Sequence, residues 1–141
     1  MNTIQSVKYP NRIYQCIINH IGDEKYVLLR CEPYKLTDDD GKDLTDIKEL
    51  YVFSSCDSED YHSGQLKWYI SETESQLKGI WRSPECLGGG IIDFNPSESK
   101  LKCYGTSYGF GDPDIEIVRD ILETFYPDFQ RNVNVTNYVR G

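Results

Sequence analysis

A chain of 141 residues with 15 lysines and arginines against 23 aspartates and glutamates has a formal charge of −8, which excludes a nucleic-acid backbone held along the length of the protein. Hydrophobic residues make up 38% and the mean hydropathy is −0.57, as in a soluble globular domain, and no apolar run approaches the roughly 20 residues that cross a bilayer. A single domain over residues 1–141 is expected from this length. The first residues lack a basic stretch followed by an apolar one, so a cytoplasmic setting with reduced thiols is expected.

Residues 13–19 (IYQCIIN) and 25–31 (KYVLLRC) are rich in β-branched and aromatic side chains and flank the turn signal Ile21-Gly22-Asp23-Glu24, which predicts a hairpin. Pro33 and the acidic tract 37–43 interrupt the pattern. Read as a calcium loop with Gly41 at its sixth position, the tract would need ligands at Leu36 and Ile47, which cannot coordinate, so a solvated loop is expected. Strand character resumes at 49–54 (ELYVFS). Leu66, Tyr69, Ile70 and Leu77 recur at near-helical spacing and predict a helix over 65–78. Residues 87–94 and 100–105 flank the turn Asn95-Pro96-Ser97-Glu98-Ser99 and predict a second hairpin. Asp112 at N-cap and Pro113 at N1 predict the start of a second helix, with Ile115, Val118, Ile121, Leu122 and Phe125 as its apolar stripe. Pro127 stops it, and residues 132–138 alternate as a final strand.

The chain has two histidines. His20 closes the first strand beside Ile18 and Ile21, the position of a structural histidine. His62 follows Asp57-Ser58-Glu59-Asp60-Tyr61 just before the predicted helix, where a side chain reaches solvent and backbone amides gather, and on position alone it reads as an ordinary loop histidine. Gly88-Gly89-Gly90 lets two backbones approach closely. The segment Gly105-Thr106-Ser107-Tyr108-Gly109-Phe110-Gly111 is glycine-spaced between a strand and a helix, as in an anion nest, with the Ser107 hydroxyl and the helix N-terminus as further donors. Its spacing fits no nucleotide-loop fingerprint, and Asp112 would compete with an anion, so on these residues alone an ordinary turn is favoured over the nest. The five cysteines, Cys16, Cys31, Cys56, Cys86 and Cys103, show no metal-ligand spacing and read as small core residues. Cys86 as a nucleophile would need an arginine where Ile92 stands. Asn134-Val135-Thr136 matches a glycosylation sequon but reads as strand alternation.

Together, Glu85-Cys86-Leu87-Gly88-Gly89-Gly90, the hairpin into Tyr104-Gly105 with Ser107, Gly109 and Gly111, and the helix ending at Tyr126-Pro127-Asp128 resemble the janus family, whose best-known members are small phosphohistidine phosphatases. Lys25-Tyr26-Val27-Leu28-Leu29-Arg30 and Asp60-Tyr61-His62 are similar to the family's two upstream landmarks. The resemblance is most specific over residues 85–128 and has no clear counterpart over 32–57. It implies an α+β single domain with a mixed β-sheet of about six strands flanked by two main helices. It also implies a phosphatase without metal or cofactor, acting on phosphohistidine or phospholysine in a protein partner; a monomer is expected, and charge and composition argue against nucleic acid and membrane.

Carried over by position, His62 is the catalytic histidine, Lys25 the pocket lysine, and Ser107, Tyr108 and Gly109 the phosphate-binding loop. Two departures stand out. A basic residue usual in the family after the triple glycine is here Ile91, with Arg82, Lys100 or Lys102 as candidate substitutes. The stretch between His62 and Cys86 is also longer than usual, and a gapless register would put Leu66 at the position of the histidine. The alternative reading is a catalytically weak module of the same family that binds a phosphoprotein or another protein.

Overall fold

The computed structural model describes residues 3–34, 40–42, 48–77, 80–134 and 139–140. In chain order the elements are β1 (Ile4–Gln5), β2 (Arg12–Asn19), β3 (Gly22–Cys31), β4 (Glu49–Cys56), α1 (His62–Leu77), β5 (Glu85–Asn95), β6 (Lys100–Tyr104), β7 (Thr106–Ser107), α2 (Ile115–Phe125), β8 (Gln130–Val133) and β9 (Val139–Arg140). Seven strands form one mixed sheet in the order β1-β2-β4-β3-β5-β6-β8, and β7 pairs with β9 apart from it. The fold is α+β, with two helices on a mixed sheet, as expected. The sheet has one strand more than about six because the two-residue β1 is too short to carry an alternation signal.

The first hairpin does not form. β4 inserts between β2 and β3, parallel to β2 and antiparallel to β3. Burial explains the order. Every residue of β4 except Glu49 is buried, whereas β2 is largely half-buried. The strand that must be covered on both faces takes the interior position, and β2, joined to β3 by a short turn, is displaced by one place. The second hairpin forms as expected, with β5 and β6 antiparallel from Ile91↔Tyr104 to Asn95↔Lys100.

Period-two alternation along β3 divides the core. Tyr26 and Leu28 face α2, where they pack with Phe53, Ile92, Val118, Ile121 and Leu122; Val27, Leu29 and Cys31 face α1, with Leu50, Val52 and Tyr69. Of the stripe foreseen for α2, Val118, Ile121 and Leu122 are buried and Ile115 and Phe125 are half-buried against the same core, Ile117 and Asp120 are buried beside them, and the cap lies at Asp114 rather than Asp112. Its Oδ1 accepts from the backbone N–H groups of Glu116 (3.1 Å) and Ile117 (3.4 Å). Asp112 instead places its carbonyl against Gly88, so the chain is still extended there. Most of the acidic tract, Lys78 and the second half of the predicted last strand lie outside the described residues; Asp40, Gly41 and Lys42 are exposed.

Candidate active site

The triple glycine of β5 organises the site. A Cβ on Gly88, which has φ +139°, would lie 2.6 Å from the Asp112 carbonyl oxygen. One on Gly89 would lie 2.5 Å from the Tyr26 carbonyl oxygen and 2.6 Å from Cδ2 of His62. The imidazole therefore occupies the space that any side chain at position 89 would fill. Its Nε2 lies 2.9 Å from the Gly90 carbonyl oxygen. A carbonyl only accepts, so Nε2 carries a proton, and in its neutral form the ring has the lone pair on Nδ1.

His62 was expected at a solvent-reaching position ahead of the helix; it is the first residue of α1 and is 2% exposed. The reason is a stripe that hydrophobicity hides. Among the described side chains of α1 the buried ones are His62, Gln65, Tyr69 and Thr73, spaced three or four apart, and of these Tyr69 alone is apolar. Gln65 anchors the segment before the helix. Its Oε1 accepts from the Cys56 N–H (2.9 Å), and its Nε2 donates to the carbonyls of Cys56 (2.8 Å) and Glu59 (3.1 Å). Leu66 packs into the core with Val27 and Leu29 and does not approach the glycine strand in the manner of His62.

Lys25, Ile91 and Tyr104 are direct register partners across β3, β5 and β6, so their side chains share one face, the face that carries His62 over Gly89 two residues along β5. They line a cleft of about 210 Å³ together with Asp23, Glu24 and Asp60. Lys25 Nζ donates to the Asp60 carbonyl and stands 5.0 Å from the centre of the Tyr61 ring. Tyr104 donates its hydroxyl to Asp23 Oδ1 at 3.1 Å. Partial burial, with Asp57, Asp60 and Asp23 nearby, raises the pKa of the Glu24 carboxyl.

The glycine-spaced loop joins the same strand from the side. Gly89 N–H donates to the Gly111 carbonyl (3.3 Å), so His62 and the loop both meet at Gly89. Ser107 and Gly111 pair through both backbone bonds (3.3 and 2.9 Å). Ser107 is 2% exposed, and its Oγ accepts from Phe110 N–H at 3.1 Å, which leaves its hydroxyl proton to donate. Tyr108 is 80% exposed and Gly109 is exposed. The N-terminus of α2 offers less than expected, because the Asp114 carboxylate already occupies its leading amides.

The other candidates are structural. His20 Nε2 lies 2.8 Å from Ser55 Oγ, which donates to the Lys25 carbonyl at 2.6 Å, so His20 is the donor to Ser55. Burial pushes the Cys86 thiol up to about 11, the opposite of what a nucleophile needs. Among the described residues no group of three or more His, Cys, Asp or Glu side chains is placed to hold a metal ion.

The architecture and the site define an α+β protein with one mixed sheet and a histidine lodged against a glycine-only stretch of strand. The Janus/Ocnus family model matches residues 11–130, and the chain belongs to that family. Among curated relatives, the sex-regulated protein janus-A of Drosophila pseudoobscura pseudoobscura is 31% identical over 121 residues, 86% of this chain and 74% of that protein. Janus-A of Drosophila melanogaster is 40% identical over 70 residues, 49% of this chain and 52% of the relative. A 14 kDa phosphohistidine phosphatase of Sus scrofa is 39% identical over 56 residues, 40% of this chain and 43% of that enzyme. No helix is long and apolar enough to cross a membrane among the described residues.

Proposed function

We propose that the chain is a protein-phosphohistidine phosphatase that works without a metal and uses His62 as its acting group. The observation that carries this reading is the His62–Gly90 hydrogen bond, which fixes the ring in one tautomer beside Gly89, where the Ser107–Gly111 loop also meets the strand. The phosphatase of Sus scrofa supports the reaction class by similarity.

The chemistry asks for positioning more than for a strong nucleophile. The P–N bond of a phosphoramidate breaks once the leaving imidazole is protonated, and catalysis of phosphoryl transfer rests mainly on donors around the equatorial oxygens. Lys25, the Ser107 hydroxyl and the backbone amides of Tyr108 and Gly109 are the donors assigned here. Nδ1 of His62 takes the proton of the attacking water as oxygen joins phosphorus and the P–N bond opens, or attacks phosphorus itself and is then freed by water. Either course yields orthophosphate and the unmodified residue.

The test is release of phosphate from a phosphohistidyl peptide in the presence of chelator. His62→Ala is expected to abolish it, and retained turnover in that variant overturns the reading. Trapping of phosphate on His62 separates the two courses. One observation favours a second reading, a binding module of low activity: Ile91 puts an apolar side chain on the cleft floor among Asp23, Glu24 and Asp60. Binding of the phosphopeptide without turnover would support it.

A further inference from the structure

A phosphoryl group beside His62 would lie over Ile91 and Lys25, and the surrounding side chains work against it. Among the described residues Lys25 is the one cation lining the cleft; it already donates to the Asp60 carbonyl and shares the walls with three carboxylates. A dianionic ligand held there needs a second cation. Arg82 is too far. Its N–H donates to the Glu32 carbonyl beyond the C-terminal end of β3, roughly 20 Å along the strand from Lys25 at about 3.3 Å per residue, and its guanidinium lies over the Tyr34 ring. Lys100 is paired with Glu98 at 3.8 Å, on the last rung of the β5–β6 hairpin.

Lys102 differs from Arg82 by its face of the sheet and from Lys100, which shares that face, by standing one rung nearer the cleft. It lies on the Lys25–Ile91–Tyr104 face of the sheet, one rung beyond Tyr104 and opposite Asp93. Its ammonium is drawn onto the Tyr104 ring, 5.4 Å from the centroid, and that ring is a wall of the cleft. His62 sits over Gly89, two residues or roughly 7 Å along β5 on the other side of Ile91. A phosphoryl group over Ile91 is thus flanked by the imidazole at one end and by Lys102 at the other.

We propose that Lys102 is a substrate-anchoring residue, its ammonium acting with that of Lys25 as the second cation for the phosphoryl group over Ile91. This rests on the reading of the cleft as a phosphate site. Tyr104 positions the ammonium through its ring face, and Asp93, Asp23, Glu24 and Asp60 are the charges against which the lysine works.

The experiment titrates the full chain with inorganic phosphate by NMR and, in parallel, measures KM and kcat on a phosphohistidyl peptide. Lys102→Gln is expected to weaken phosphate binding and raise KM by about 10-fold, the effect of one lost charge-assisted hydrogen bond, with kcat nearly unchanged. Lys102→Arg is expected to restore most of the loss, and Lys100→Gln to behave as the unaltered chain. Lys102 is exposed, so the substitution leaves the fold intact, which the same spectra show. Phosphate binding by Lys102→Gln equal to that of the unaltered chain overturns the assignment while leaving His62 catalysis standing. An equal loss in Lys100→Gln overturns it too, since that reports general surface charge. An unaltered chain that neither binds phosphate nor hydrolyses the peptide removes both this inference and the phosphatase reading. Binding without turnover removes only the latter, and the titration of Lys102→Gln then decides.

Discussion

His62 Nε2 lies 2.9 Å from the carbonyl oxygen of Gly90, with the ring against the Cα of Gly89. A hydrogen bond to a strand carbonyl is a rigid tether, because the strand is held on both sides by β3 and β6. It makes Nε2 the donor and fixes the plane of the ring against the strand.

Gly89→Ala tests that tether. The added methyl would sit 2.6 Å from Cδ2 of His62 and 2.5 Å from the Tyr26 carbonyl, closer than atoms pack, so ring or strand must move. The expected cost is about 1–3 kcal/mol of stability, and turnover falls about 100-fold as the imidazole leaves its position. Thermal melting and kinetics on the same preparation check both; unchanged turnover would show that the close approach does not orient the ring.

Gln65→Ala removes three hydrogen bonds to backbone groups of Cys56 and Glu59. A buried amide is left without its partner, at an expected cost of about 2–3 kcal/mol in urea unfolding. Hydrogen exchange at residues 57–61 should accelerate more than in the strands. Uniform acceleration would mean that Gln65 supports the core as a whole rather than the segment leading to His62.

Acid should weaken the fold through Glu49. Its carboxylate accepts from Arg30 Nε (3.1 Å) and a guanidinium nitrogen of Arg30 (3.0 Å), and from the Tyr51 hydroxyl (2.7 Å). The Arg30 hydrogen bonds, chiefly, lower its pKa to about 2. A depressed carboxyl contributes stability above its ordinary pKa of 4.5 and loses it as the pH falls toward about 2. Glu49→Gln is expected to cost about 1 kcal/mol at pH 7, after screening at this part-exposed position, and nearly nothing at pH 2. A cost independent of pH in denaturant titrations would contradict the ion pair as its source.

Cys86→Ser should retain turnover. With its thiol pushed up to about 11 by burial, Cys86 is protonated near neutrality and should react slowly with iodoacetamide below pH 8. Inactivation that follows alkylation of Cys86 would return a thiol mechanism to consideration.

Local signals in the chain determined a good deal. The apolar stripe 115, 118, 121, 122, 125 is α2, the Asn95-Pro96 turn joins β5 to β6, and β3 and β4 lie where β-branched and aromatic residues cluster. Each such signal is complete within a few residues, so no distant partner is needed to read it. The pattern of residues 85–128 likewise carried the family, and with it His62, Lys25 and the loop Ser107-Tyr108-Gly109 as a set to examine.

Tertiary structure alone decided the order β2-β4-β3, the burial of His62, the anchoring by Gln65 and the company that Lys25 keeps. Strand order depends on which strand is covered on both faces, and that is a comparison among strands rather than a property of one. His62, Gln65 and Thr73 occupy core-facing positions of α1 yet are polar, so hydrophobic periodicity passes over them; their partners are backbone groups of Cys56, Glu59, Tyr69 and Gly90, which carry no residue-specific mark in a sequence. The face shared by Lys25, Ile91, Tyr104 and Lys102 comes from register across three strands, and register is settled only when the whole sheet is assembled.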